Sequence, residues 1–291
     1  MLALVTAPAA LRASSRHNLQ LPRAIPSRSA SPRAYEMAPS ATAHLINHGY
    51  VVLDDAFDRE EASMLELAMR LIDDGITLAP AEAAGSGRDD AIRFVDAKSA
   101  MLPVAGAILR LKSCAEALQG AYAAARAEKC GSAWAAPWTA CDPSADDGLQ
   151  PKLPATRTRW LVAAPEAQLG SYQPSGVYCV HSDNSRDEAG RRRNERALTM
   201  IVYANPGDWS EHLDGGCLRI YTDTDEVDCN VGEPAALGDV LSAAPHIDVL
   251  PLAGRVVIFR STLLHEVRGT LRRPRRAITQ WFYAPYVSSA V

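Results

Sequence analysis

The stretch that decides the fold is residues 254–285, GRVVIFRSTLLHEVRGTLRRPRRAITQWFYAP. Two apolar, β-branched and aromatic runs, RVVIF and AITQWFY, flank a segment punctuated by Gly, Pro and Arg. That is the pattern of strands joined by turns. The same texture extends upstream to Arg157, through TRWLVAAP, QLGSY, GVYCVHSD, ALTMIVYAN and GCLRIY. Many short strands at close spacing predict a mainly β barrel or jelly roll.

The segments before residue 157 read differently. Ser40 is placed to cap a short helix, ATAHLINHG, that stops on Gly49. YVVLDD follows as a strand. Asp58 is placed to cap DREEASMLELAMRLIDDG, where Met64, Leu65, Leu67, Ala68, Leu71 and Ile72 fall on one helical stripe. AIRFVD reads as a strand and residues 101–129 as a helix. Helices that precede the strands, instead of alternating with them, predict helices packed on a β core. Gly and Ala loosen residues 80–87, which predicts a mobile loop. A Pro/Asp/Gly-rich loop is expected over 131–156.

Length and composition narrow the classes. The chain has 291 residues, 47% apolar and 22% charged, with a net charge of −4. No global basic field points to nucleic acid, and no apolar run approaches the ~20 residues that span a bilayer. Neither a nucleic-acid nor a membrane partner is expected. Six cysteines without a CxxC pair argue against structural zinc and read as mostly reduced thiols of an intracellular protein. From Met1 to Tyr35 there is no Asp, Glu or Lys, while Arg and Ser are frequent. That is the composition of an organelle transit peptide, which would direct the chain to a plastid or mitochondrion. A plain disordered tail would leave it cytoplasmic or nuclear. Residues 1–38 are therefore set apart. Residues 39–291 are expected to be a single domain, with helical support over 39–130 and the β core over 157–286.

The residues that carry chemistry are His181, Asp183 and His265. Two imidazoles and one carboxylate form the facial set of non-haem Fe(II) oxygenases, which leaves coordination positions open. His181 and Asp183, two apart on one strand, should share a face. An HxD with one distant histidine also arises by chance, and a lone histidine is more often a surface or core residue. His17, His44, His48, His212 and His246 are read that way. The companion residues raise the signal. Ten residues after His265 comes Arg275, whose planar fork suits the far carboxylate of 2-oxoglutarate. Alternation puts Arg275, Ala277, Thr279 and Trp281 on one face and Arg276, Ile278, Gln280 and Phe282 on the other. Thr199, Ile201 and Tyr203 likewise share a face, with the Tyr203 phenol available to the same carboxylate. Replacing Arg276 is expected to have little effect. The other arginines of RRPRR read equally well as a solvated basic turn, and Arg191, Arg192 and Arg193 are read as solvated loop residues.

Several motifs together resemble the 2-oxoglutarate- and Fe(II)-dependent prolyl hydroxylases, above all the oxygen-sensing prolyl-hydroxylase-domain enzymes that modify hypoxia-inducible factor. LINHGYVVLDDAF and RDDAIRFVD resemble N-terminal segments of that family. HSDN, MIVYANPGDWSEHLDGGCLRIY, and LLHEV followed by RRAITQWFYA resemble its metal and cosubstrate strands. The resemblance implies a double-stranded β-helix, or jelly roll, and a prolyl 4-hydroxylase of the procollagen or hypoxia-factor type. Its cosubstrates would be 2-oxoglutarate and O2, its co-products succinate and CO2, and its reductant ascorbate. His181, Asp183 and His265 would bind iron. Arg275 and Tyr203 would bind 2-oxoglutarate, in a pocket lined by Ile201, Leu218, Val267, Thr279 and Tyr172. Arg196 and Trp281 would touch a protein or peptide substrate that contains proline. Two departures stand out: Phe94 replaces a family tryptophan, and Tyr172 lies one residue nearer the metal strand. A small-molecule oxygenase on the same core and a metal-binding sensor without turnover are the alternatives.

Overall fold

The computed structural model describes residues 37–54, 56–75, 79–80, 87–128, 161–185, 194–222, 241 and 244–283. The N-terminal segment, most of the loop at 80–87, Arg191 to Arg193 and the loop at 131–156 lie outside them. In chain order the elements are α1 (Pro39–His48), β1 (Tyr50–Leu53), α2 (Arg59–Gly75), β2 (Ala79–Pro80), β3 (Asp90–Val95) and α3 (Leu102–Glu128). Then come β4 (Val162–Ala163), β5 (Ala167–Tyr172), β6 (Tyr178–His181), β7 (Arg196–Tyr203), α4 (Glu211–Asp214) and β8 (Leu218–Tyr221). The chain closes with β9 (His246–Val249), β10 (Val256–Arg260), β11 (His265–Val267) and β12 (Arg275–Tyr283).

The strands form two antiparallel sheets. The larger runs β1-β10-β7-β12-β5-β3-β2, with β4 also paired to β12, and the smaller runs β6-β11-β8-β9. This is the jelly-roll core expected from the strand spacing. The large sheet is buried on both faces at its centre, and strand alternation sorts its side chains. Leu198, Met200, Val202, Ile278 and Phe282 join the core shared with the helices. Ile201, Tyr203 and Ala277 face the second core, shared with Leu218, Ile220 and Val267 of the small sheet. A strand buried on both faces has no room for polar alternation, which is why ALTMIVY reads as one apolar run.

The helices follow from their own residues. On α3, Val104, Ala107, Ile108, Leu111, Cys114, Ala115 and Leu118 recur at helical spacing and are all buried. On α2 the cap is as predicted. Glu61 N–H donates to Asp58 Oδ1 at 2.8 Å, and Asp58 N–H donates to Glu61 Oε2 at 3.0 Å, a reciprocal capping box. The α2 stripe needs correction. Leu65, Ala68, Met69 and Ile72 are buried, while Met64, Leu67 and Leu71 stay exposed. The apolar arc is wider than the single sheet-and-α3 surface that covers it. Ser40 is also not a cap. The helix starts one residue earlier at Pro39, whose fixed φ and missing N–H suit the first position, and Ala38 makes no side-chain cap. Gly49 ends it at φ 79°, as expected.

The RRPRR turn is not a solvated basic patch. Arg272 Nε and Arg273 Nε donate to Asp214 Oδ1 at 3.0 and 2.9 Å, and Ser210 N–H donates to Oδ2 at 2.9 Å. Burial pushes the Asp214 carboxyl up, but the Arg273, Ser210 and Arg272 hydrogen bonds hold it well below the ordinary carboxylate range. Arg276 does lie opposite Arg275, yet it is buried. Its Nε donates to Asp73 Oδ2 of α2 at 2.8 Å, and Ser171 Oγ donates to the same oxygen at 2.9 Å.

Two outcomes follow. Arg276→Ala strands the Asp73 carboxylate in the interior and should cost about 3 to 5 kcal/mol of stability, read by denaturant unfolding. Asp214→Asn should lower the melting temperature at neutral pH. Because the folded pKa is depressed, that deficit should be full above the ordinary carboxylate value and shrink as acid protonates the wild type.

Candidate active site

His181 ends β6 and His265 begins β11, and the two are direct cross-strand partners. Pairing therefore brings the rings together, with centroids 4.2 Å apart. Asp183 is not on the strand, contrary to the simple alternation argument; it sits in the turn just past it. The turn is pinned by Asn184 N–H donating to Ser261 O at 2.9 Å and by Asn194 Nδ2 donating to Asp183 O at 2.9 Å. The ligand atoms of His181, Asp183 and His265 all lie within 4.8 Å of one another.

The protein sets the chemical state of each group. His181 Nδ1–H donates to Cys179 O at 2.8 Å and His265 Nδ1–H donates to Leu263 O at 2.9 Å, so both rings present a free Nε2. Burial first, and His265 next, push the His181 pKa down to about 3, which keeps its imidazole neutral. Burial pushes Asp183 up, but the neighbouring imidazoles and the Thr199 hydroxyl hold it below the ordinary range and ionised. Two imidazoles and one carboxylate on one side of a cavity make a donor set for a divalent first-row metal, with positions left open.

The cavity, of about 210 Å³, lies between the sheets and holds the triad, Arg275, Thr279 and Trp281. Arg275 is 2% exposed and donates through Nε to Gly216 O at 2.9 Å. Gly216 adopts φ 71°, and a Cβ there would stand 3.0 Å from Arg275 Cδ, so the Gly-Gly motif permits this close approach. Arg275 Nη2 and Tyr203 Oη are both buried without a hydrogen-bond partner. An unmatched buried donor costs about 1 to 3 kcal/mol. A carboxylate placed between guanidinium and phenol removes that penalty.

Residues 167–283 match the model described as the 2OG-Fe(II) oxygenase superfamily. The β core is thus similar to 2OG-Fe(II) oxygenase domains. Among curated sequences none matches the chain. Solved structures share the fold at low identity. A Pseudomonas putida prolyl-4-hydroxylase is 22% identical with TM-score 0.55, covering 86% of this chain and all of that one (100%). A Trichoplax adhaerens prolyl hydroxylase, solved with a fragment of the hypoxia-inducible factor oxygen degradation domain, is 17% identical with TM-score 0.53 and coverages of 84% and 87%. EctD from S. alaskensis, solved with 2-oxoglutarate and 5-hydroxyectoine, is 18% identical with TM-score 0.54 and coverages of 88% and 81%.

The residues of this site fit both groups in that family's name. The triad suits Fe(II), and the unmatched Arg275 and Tyr203 suit the far carboxylate of 2-oxoglutarate. Ile201, Leu218, Val267, Thr279 and Tyr172 line the same cavity. Arg275 lies 5.2 Å from the Tyr172 ring centroid and 5.0 Å from that of Tyr203. Arg196 and Trp281 meet at the metal end, the guanidinium 4.0 Å from the indole centroid.

Other residues of the site carried no role in the sequence reading. Tyr178 stacks on the His181 ring at 3.7 Å. The two are three residues apart, so strict alternation would separate them. A register shift opposite His265 and Val267 places an extra residue in β6 and turns Tyr178 inward. Arg88 makes a two-point ion pair with buried Asp90, at 2.6 and 2.7 Å, and covers Tyr178 at 4.6 Å. Phe94 is 46% exposed beside Trp281, with centroids 6.4 Å apart.

His181→Ala, Asp183→Ala and His265→Ala should each abolish turnover and greatly weaken Fe(II) binding, measured by anaerobic titration. Arg275→Lys keeps the charge but loses the fork. It should lower 2-oxoglutarate affinity at least tenfold while leaving metal binding intact, read by calorimetry on the metal-loaded protein.

Proposed function

We propose that this oxygenase hydroxylates a prolyl residue in a protein or peptide, with succinate and CO2 as co-products. O2 is the oxidant: one of its oxygen atoms goes to the prolyl substrate and the other to succinate, and bound Fe(II) with 2-oxoglutarate would activate it; the chain supplies position and exclusion. His181, Asp183 and His265 hold the metal, and Arg275 with Tyr203 holds the far carboxylate of the keto acid. Tyr172 and the apolar wall of Ile201, Leu218 and Val267 keep water from that pocket.

One observation supports a polypeptide substrate above others. Phe94 stands in solvent at the cavity mouth, beside Trp281 and the Arg196 guanidinium that stacks on it. Aromatic faces suit the flat apolar ring of proline, and an arginine at the rim can donate to backbone carbonyls. An exposed phenyl ring at the mouth gains cover when an extended chain lies across it. Two of the fold's neighbours carry prolyl hydroxylase names, while EctD was solved with a small molecule. The test must therefore include both substrate classes.

Mass spectrometry of proline-containing peptides after incubation with enzyme, Fe(II), 2-oxoglutarate and ascorbate should show a gain of one oxygen on proline. Phe94→Ser and Arg196→Ala should reduce peptide hydroxylation at least tenfold while sparing substrate-independent succinate formation. Ready turnover of free small molecules with no modified peptide would assign the site to small-molecule oxidation instead.

A further inference from the structure

We infer that Thr199 and Trp281 are positioning residues that clamp Asp183 so that one carboxylate oxygen alone faces the metal, with Ser261 behind Thr199 as the donor to its hydroxyl oxygen. This rests on the triad as a metal site and not on the identity of the substrate.

Both donors converge on one atom. Thr199 Oγ1 donates to Asp183 Oδ2 at 2.6 Å, and Trp281 Nε1–H donates to the same oxygen at 3.0 Å. They come from adjacent strands and are direct cross-strand partners in the β7–β12 register. The clamp is thus built into the large sheet, while its target belongs to the turn after β6. Thr199 is 1% exposed and Ser261 fully buried, and their hydroxyl oxygens lie 2.9 Å apart. A carboxylate cannot donate, so the single Thr199 proton goes to Asp183. Ser261 must then donate to Thr199 Oγ1. The direction of every bond in the chain Ser261–Thr199–Asp183 is fixed.

The consequence concerns the other oxygen. Two donors occupy both lone-pair directions of Oδ2. Oδ1 has no hydrogen bond among the described residues; it lies 3.9 Å from His181 Nε2 and 4.0 Å from Arg196 Nη1, an ion-pair distance too long for a hydrogen bond. Oδ2 is itself 3.8 Å from His265 Nε2, so proximity does not choose between the oxygens. Hydrogen bonding does. A carboxylate free to rotate can take a metal through both oxygens and fill a position that the keto acid needs. One held at Oδ2 takes it through Oδ1 alone and keeps three positions open. Trp281 then acts through Asp183, whatever else it touches at the mouth.

The test uses the full chain with Co(II) as probe, without substrate. Thr199→Val keeps shape and removes the donor; Trp281→Phe keeps the ring against Arg196 and removes the N–H. Each should weaken Co(II) binding about tenfold, as loss of a partner behind a metal ligand does. Each should also change the Co(II) visible spectrum and weaken 2-oxoglutarate binding to the Co(II) protein. The double variant should be weaker than either, and Thr199→Ser should restore the wild-type spectrum. If Thr199→Val does not fold, Trp281→Phe carries the same readouts. Wild-type spectrum and affinities in folded Thr199→Val or Trp281→Phe would overturn the clamp. A wild-type protein that binds no Co(II), or binds it equally after His181→Ala, would overturn the triad as a metal site and the clamp with it.

Discussion

The register between β7 and β12 is the constraint on which the site depends. It pairs Tyr203 with Ala277, Ile201 with Thr279 and Thr199 with Trp281. Those pairs place the carboxylate-binding end, the apolar middle and the metal end along one face in the right order. A slip of one residue would turn Leu198, Met200, Val202 and Ile278 into the cavity and bury Thr199 against the helices. The register is strongly specified because both faces are buried in different surroundings. The helix side takes only apolar groups, and the cavity side must satisfy hydroxyl, phenol and guanidinium groups.

The polar groups of the interior divide by whether the protein satisfies them. Arg276 is matched by Asp73, Arg272 and Arg273 by Asp214, and Arg88 by Asp90. These pairs tie loops and helices to the large sheet, and each would be costly to break from one side. Arg275 differs. It sits one residue from Arg276 and is also buried, yet its Nη2, like the nearby Tyr203 Oη, has no hydrogen-bond partner. One strand thus carries a structural arginine on one face and a ligand-ready arginine on the other.

The metal end shows the same economy. Both histidines are oriented by the carbonyl two residues before them. That local bond fixes the tautomer without help from a distant carboxylate. Asp183, which has no such local partner, is held across the sandwich by Thr199 and Trp281. The small sheet and the turn after β6 supply the triad, and the large sheet supplies the hydrogen bonds to its carboxylate.

Much of this was legible in the sequence. Strand spacing announced the jelly roll, and alternation along RRAITQWFY separated Arg275 from Arg276. The HxD, the distant histidine and the arginine ten residues on marked the chemistry, because those residue types are expensive to bury without a use. The capping box at Asp58 was visible because it is closed within three residues. What the tertiary structure alone decided lies in contacts between distant segments. Alternation could not reveal that Asp183 sits in a turn, or that a bulge brings Tyr178 onto His181. Nor could it show that α2 supplies Asp73 to Arg276 and leaves Met64, Leu67 and Leu71 uncovered. A sequence states which side chains share a face of one element. Which group on another element meets that face, and so whether a buried charge is matched or left waiting for a ligand, is settled only when the sheets and helices close on each other.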